Sequence, residues 1–193
     1  MSTSPNPNLN TTLYFGYGSN LWKQQMSLRC PTSTHLGLAR LSGFTWLINT
    51  RGYANVVAST HPSDAVYGLV YGLAAADEAR LDANEGVPLA YTKEYMGVEF
   101  WRRGDGGGAD AAEPERVQVL VYIDRRRTRG AQAKGEYVYR MNMGIVDAVR
   151  EGVPREYVQS VLRRYIPKME QGEDGEGVRG RAERQALEFE DES

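Results

Sequence analysis

Apolar and polar positions change their period several times along the chain, and each change marks an element. From Leu13 to Tyr17 the residues are apolar and aromatic, which predicts a short buried strand. Gly16 and Gly18 then free the backbone for a tight turn. Ser19 and Asn20, good helix N-cap residues, lead into a short helix that carries Leu21, Trp22, Met26 and Leu28. Leu36 to Leu41 and Phe44 to Asn49 read as strands meeting at Ser42-Gly43, and Tyr53 to Ala58 as a further β-like run. Val66 to Tyr71 is an apolar strand in which Gly68, with Gly72 after it, implies bulging or a close backbone approach. The period then lengthens. Ala74 to Glu85 is dense in helix formers with acids early in the run, and Gly86 and Pro88 end it. Lys93 to Arg103 and Val117 to Asp124 read as long strands, joined by a Gly-, Ala- and acid-rich loop from Gly104 to Glu115. Next, Tyr137, Met141, Gly144, Ile145, Ala148 and Val149 recur at helical spacing until Gly152. Pro154 then starts a second helix with Tyr157, Val158, Val161, Leu162 and Tyr165 on one face. Strands and helices do not alternate strictly, so the fold class predicted is α+β, with a curled mixed sheet or small barrel.

A chain of 193 residues suits one domain with a sizeable core. That domain is expected over residues 12–167, between a polar, disordered leader (1–11) and an acidic, Gly-rich, disordered tail (168–193). The leader has no basic region followed by an apolar run, so it does not read as a secretory signal. No apolar stretch approaches the roughly 18–20 residues that span a bilayer, so a cytoplasmic location is the default expectation. A net charge of −2 gives no reason to expect nucleic acid or a membrane as partner, and the basic run from Arg125 to Lys134 reads as a solvated connection.

The inventory also removes chemistries. One cysteine, Cys30, and two histidines, His35 and His61, do not make a zinc cage, a Cys–His pair or a histidine metal cluster. No metal is expected. Both histidines are expected on the surface or in loops, and Cys30 as a small packing residue.

Two stretches carry candidate chemistry. The turn from Tyr17 to Leu21 points several backbone N–H groups at one spot, a concavity that suits a carboxylate or phosphate. It is neither a Rossmann turn, which needs a third glycine, nor a P-loop, which needs Gly-Lys-Ser/Thr. With histidine chemistry set aside, the best general acid/base is a carboxylate, and Glu85 stands out at the last turn of its helix. The partial negative charge there pushes its pKa upward, and partial burial would add to the shift. On this reading Asp77, Glu78 and Asp82 form the solvated face of that helix. Glu94 and Glu99 have opposite strand parity, so both face outward only if the strand bulges at Gly97.

Four blocks then carry a resemblance: Tyr14-Phe15-Gly16-Tyr17-Gly18-Ser19-Asn20-Leu21, Gly37-x-Ala39-Arg40-Leu41-x-Gly43-Phe44, Val66-Tyr67-Gly68-Leu69-Val70-Tyr71 and Leu81-Asp82-x-x-Glu85-Gly86-Val87. Together with Gly152-Val153-Pro154-x-x-Tyr157, and over about Leu13 to Ile166, the chain resembles the γ-glutamylcyclotransferase family. The resemblance implies a small mixed β-barrel flanked by helices and a cofactor-free reaction, in which a γ-glutamyl-amino acid gives 5-oxoproline and a free amino acid. It implies Glu85 as catalytic acid/base. It also implies a γ-glutamyl substrate held by Tyr17, Gly18, Ser19, Asn20 and Leu21, with Tyr122 and Tyr137, and Tyr91 at a less regular spacing, around the pocket. Gly52-Tyr53-Ala54-Asn55-Val56 departs from the family's Gly-x-Ala-Thr-Ile, and Asn55 is expected to alter what the pocket accepts. Asn20 argues against the glutathione-specific branch. A γ-glutamylamine substrate, a specialised metabolite, a non-catalytic binding domain and a homodimer all stay open.

Overall fold

A computed structural model describes residues 11–104 and 113–169 of the protein. Five strands close into a barrel in the order β1 (Thr12–Gly16), β5 (Ala65–Leu73), β2 (Thr34–Ser42), β6 (Thr92–Arg102), β7 (Glu115–Ile123). All pairings are antiparallel except the closing one, where β1 runs parallel to β7 at Tyr14 and Leu120. β3 (Phe44–Ile48) and β4 (Ala54–Ala58) form a separate two-stranded sheet. The helices are α1 (Lys23–Arg29), α2 (Ala75–Asn84), α3 (Gly135–Arg150) and α4 (Arg155–Ser160), with 3-10 turns at Ser19–Leu21 and Leu162–Arg164. The α+β class and the small mixed barrel stand as the sequence predicts. The leader through residue 10, residues 105–112 of the Gly-rich loop and the tail from residue 170 lie outside the described residues.

Successive strand residues face opposite sides of the barrel wall, and both sides are covered, which explains the continuous apolar runs. Phe15, Leu69, Val70, Leu73, Val119, Leu120 and Ile123 have no exposed surface, and each such side chain contributes about 1.5–3 kcal/mol on burial. Gly68 is required by close approach: a Cβ there would stand 2.6 Å from the Phe15 ring and 2.7 Å from the Gly16 carbonyl oxygen. The irregularity lies on the partner strand, between His35 and Gly37. A second close approach positions the site. At Gly144 of α3 a Cβ would lie 2.9 Å from Leu21 Cβ and 3.0 Å from the Trp22 nitrogen, so α3 rests directly on the turn after β1.

Several expectations are corrected. His35 is a strand residue whose side chain is 6% exposed, packed beside the Tyr71 ring. Asp77 is buried and accepts hydrogen bonds from the Thr32 N–H and hydroxyl, while Asp82 and Glu78 both contact Lys93. The face of α2 read as solvated therefore packs on β6 and the chain after α1. The β6–β7 register runs unbroken from Thr92 to Phe100, so Gly97 makes no bulge. Glu94 and Glu99 keep opposite faces, and each meets its own arginine, Arg125 and Arg40.

Candidate active site

The turn after β1, the end of α2 and the first turn of α3 converge on one pocket, whose wall is completed from α1, the start of β4, the chain before β6 and the end of β7. Helix α2 ends with Gly86 at φ 61°. The Gly86 N–H bonds the Ala83 carbonyl at 3.1 Å and the Val87 N–H bonds that of Asp82 at 3.0 Å. These two bonds form a Schellman closure, for which glycine avoids the Cβ penalty of the left-handed conformation. The chain reverses immediately after Glu85, and Glu85 lines the pocket with Tyr14, Tyr17, Gly18, Ser19 and Asn20 from the N-terminal side.

Asn20 is the hub. Its Nδ2 donates to the Tyr14 hydroxyl at 2.8 Å and to Glu85 Oε1 at 3.3 Å. Its Oδ1 accepts from Gln25 Nε2 at 2.8 Å and from the Arg29 guanidinium at 3.1 Å. A guanidinium only donates, so the oxygen must face Arg29, and the amide has to offer N–H to Glu85. Beneath this, Gln25 also donates to the Ser19 hydroxyl at 2.9 Å. Arg140 of α3 reaches the Ser19 hydroxyl and Gln25 Oε1, each at 3.3 Å. Arg29 and Arg140 are 5% and 1% exposed, two buried positive charges under the pocket.

This setting governs Glu85. By area the residue is half-buried, but its carboxyl faces enclosed polar and aromatic walls. Burial pushes its pKa up, against the opposing pull of Arg29, Arg140, the Asn20 hydrogen bond and Arg51, and the net direction is upward. Arg29 feels the mirror effect. Burial and the neighbouring Arg140 bring it down to about 10, so it stays a cation at neutral pH. Cys30, enclosed against Asp77, is pushed up to about 12, chiefly by burial, an inert packing thiol as expected.

The tyrosines divide by hydrogen-bond role. Tyr17 donates to the Tyr122 carbonyl at 2.6 Å, Tyr91 to the Ala54 carbonyl at 2.9 Å and Tyr122 to Asp82 Oδ1 at 2.7 Å. With their protons committed, these three offer lone pairs. Tyr137 is the opposite. Its oxygen accepts the Ser19 N–H at 3.1 Å and the Ala54 N–H at 3.3 Å, which leaves its own proton to donate.

Of the residues named from sequence, Tyr17, Gly18, Ser19, Asn20, Glu85, Tyr122 and Tyr137 meet around this pocket, and so does Tyr91. Leu21 does not line it. Its side chain is 1% exposed in the core, and its N–H closes the turn on the Gly18 carbonyl at 2.9 Å. Asn55 is also displaced from the expected role: it is fully buried and ties the chain after β7 through the Asp124 and Arg127 carbonyls and the Asp124 N–H. Tyr14, Arg29, Tyr53 and Ala54 line the pocket and were not anticipated. A signal existed for the buried network beneath them. Trp22, Gln25, Met26 and Arg29 fall at i, i+3, i+4 and i+7, and Arg140 lies three residues after Tyr137 on the apolar face of α3, so these polar residues occupy core positions.

Fold and pocket together define a small mixed barrel with an enclosed carboxylate at the end of one helix, and known proteins share the fold. A family model described as gamma-glutamyl cyclotransferase, AIG2-like, matches residues 14–141, a span that contains every pocket residue. The gamma-glutamylcyclotransferase of Mus musculus is 34% identical over 161 residues, covering 78% of this chain and 77% of the mouse protein. That of Homo sapiens is 33% identical over 94 residues, 42% of this chain and 47% of the human protein. The Bos taurus protein is matched over 44% of its length, so the chain spans about half the length of these two relatives. Among solved structures, a gamma-glutamyl cyclotransferase superposes with a TM-score of 0.68 at 24% identity, covering 91% of this chain and 99% of that one. A crystal structure of an uncharacterized Homo sapiens protein gives a TM-score of 0.67 at 23% identity, covering 90% and 99%. These structural likenesses establish the fold. The chain belongs to the gamma-glutamyl cyclotransferase, AIG2-like family.

Proposed function

We propose that the protein is a γ-glutamylcyclotransferase that converts a γ-glutamyl-amino acid to 5-oxoproline and the free amino acid, with Glu85 as general acid/base. The observation that carries this reading is the Glu85 carboxyl, half-buried, raised in proton affinity and oriented by the Asn20 amide at 3.3 Å within a tyrosine-lined pocket. A carboxyl held above its ordinary range takes up a proton more readily than a solvated glutamate, which suits it to general acid/base work.

On this reading the Glu85 carboxylate removes a proton from the substrate's α-ammonium and frees the nitrogen lone pair. The nitrogen attacks the γ-carbonyl carbon and closes a five-membered ring. Glu85 passes its proton to the departing nitrogen as the amide C–N bond breaks. It then takes a second proton from the ring nitrogen, which the attack has left positively charged, and relays it to the released amine. Of the three ammonium hydrogens, one stays on the lactam nitrogen and two finish on the released amine. Because the attack is intramolecular, a pocket that holds the substrate folded supplies much of the acceleration. The Tyr137 proton and the positive field of Arg29 and Arg140 suit the substrate's carboxylate or the developing oxyanion. The turn's amides serve in part through Tyr137, since the Ser19 N–H already bonds its oxygen.

The reading is tested by incubating the purified protein with γ-glutamyl-alanine, glutathione and γ-glutamyl-ε-lysine and quantifying 5-oxoproline. Release from γ-glutamyl-alanine is expected. Release from γ-glutamyl-ε-lysine alone would move the substrate to a γ-glutamylamine, and no release from any of the three would overturn the reading.

A further inference from the structure

We propose that Asp82, behind the pocket wall, is a positioning residue that fixes the polarity of Tyr122, so that the Tyr122 oxygen accepts a hydrogen bond from the substrate's α-ammonium. The inference rests on the γ-glutamyl reading above and adds to it a residue outside the pocket lining. Asp82 and Glu85 share the last turns of α2: Glu85 enters the pocket, and Asp82 meets Tyr122 from behind. Asp82 Oδ1 accepts the Tyr122 proton at 2.7 Å, and Asp82 Oδ2 accepts Lys93 Nζ at 3.0 Å. Lys93 is held in turn by Glu78, one helical turn earlier, and Glu78 by the Thr12 hydroxyl. Both carboxylate oxygens of Asp82 therefore have donors, and Tyr122, 2% exposed, has no freedom to turn its proton inward. What Tyr122 can offer the pocket is a lone pair, beside the acceptors Tyr17 and Tyr91 and the Glu85 carboxylate. That cluster suits an ammonium, while the donor Tyr137 suits oxygen.

The arrangement makes Asp82→Asn unusually informative. Lys93 can only donate, so the new amide must keep its oxygen toward Lys93 and present its N–H₂ to Tyr122. Tyr122 then becomes the acceptor of that bond, and its proton turns toward the pocket, where it opposes the ammonium. The pocket keeps its shape and loses its sign.

The test is calorimetric and needs no turnover. In a Glu85→Gln background, binding of γ-glutamyl-alanine is compared with that of glutaryl-alanine, which lacks the amine. Asp82→Asn should weaken γ-glutamyl-alanine about tenfold or more and change glutaryl-alanine by less than about twofold. Adding Tyr122→Phe to Asp82→Asn should cost little more, because the two act through one hydroxyl. Lys93→Met, which loosens the same cluster without turning Tyr122, should leave the ratio of the two affinities unchanged. Equal weakening of both ligands, losses that multiply in the double variant, or the same ratio change in Lys93→Met would overturn the inference while leaving the γ-glutamyl reading in place. Failure of both ligands to bind the parent protein would overturn that reading, and this inference with it.

Discussion

The tetrapeptide Glu-Gly-Val-Pro occurs twice in this chain, at Glu85–Pro88 after α2 and at Glu151–Pro154 after α3. Both helices end in the same closure, with glycine at φ 61° in one and 100° in the other. In α3 the Gly152 N–H bonds the Val149 carbonyl at 3.2 Å and the Val153 N–H bonds that of Ala148 at 2.9 Å, matching the bonds that end α2. The two glutamates thus share local sequence, backbone closure and position at the negative end of a helix. Their proton affinities move in opposite directions. Burial raises Glu85 against its cationic neighbours. Burial also pushes Glu151 upward, but the hydrogen bond from Lys23 and the charges of His35, Lys23 and Arg103 outweigh it, and its pKa falls below the ordinary value. The helix-end position that draws attention to Glu85 in the sequence is common to both, so it cannot decide between them. What differs is how far each carboxyl is enclosed and what answers it. Glu85 faces the polar and aromatic walls of its pocket, whereas Glu151 lines a more open cleft beside Arg103, its side chain 18% exposed, and takes a hydrogen bond from Lys23.

Substitutions that preserve shape should separate the pair. Glu85→Gln is expected to lower kcat for 5-oxoproline release by about 10²–10⁴-fold with substrate binding largely kept, whereas Glu151→Gln should stay within about twofold in the same assay. Either glutamine behaving like the other would erase the distinction.

Stability against pH should part them next, with opposite signs. Because the folded-state pKa of Glu85 is raised, its stabilising contribution is full below the unfolded-state value and is lost as pH rises through the folded value. Glu85→Gln should therefore raise Tm at neutral pH, with the gain shrinking toward acid. For Glu151 the folded value is depressed, so its contribution is present above the unfolded value and lost as pH falls through the folded one. Glu151→Gln should lower Tm at neutral pH, and the loss should fade in acid. Melting curves across the carboxylate range read both signs in one series.

Smaller effects sharpen the contrast between the enclosed and the open end. A Cβ at Gly18 would stand 2.7 Å from the Tyr137 hydroxyl and 3.0 Å from Ala54 Cβ. Gly18→Ala should cost about 1–3 kcal/mol from overpacking and raise KM by displacing Tyr137, as denaturant titration and steady-state kinetics would read. At the other end, Lys23→Ala removes the partner of Glu151, but both side chains are partly exposed, at 34% and 18%. That loss should not exceed about 1 kcal/mol and should shrink in salt.

Much of this was legible in the chain because it is written locally. β1, α2 with its Gly86 stop, and α3 with its stop at Gly152 follow from period and punctuation, and the Tyr-Gly-Ser-Asn and Leu-Asp-x-x-Glu-Gly-Val blocks point to Glu85 and to one wall of the pocket. What escaped is written at long range. Asp82 looks solvated on its own helix until Tyr122, forty residues away, donates to it. Asn55 looks like a pocket residue until the chain after β7 folds back onto it. Arg29 and Arg140 sit at apolar positions of their helices, and only the meeting of α1 with α3 over Asn20 shows why charges belong there.

The central claim, that enclosure makes Glu85 the proton-transfer group, is met most directly by the pH dependence of kcat/KM for 5-oxoproline release from γ-glutamyl-alanine. The account predicts an acid limb above the ordinary glutamate value of about 4.3, unmoved in Glu151→Gln and absent from the residual activity of Glu85→Gln. A limb at the ordinary value, or one that survives in Glu85→Gln, would contradict it.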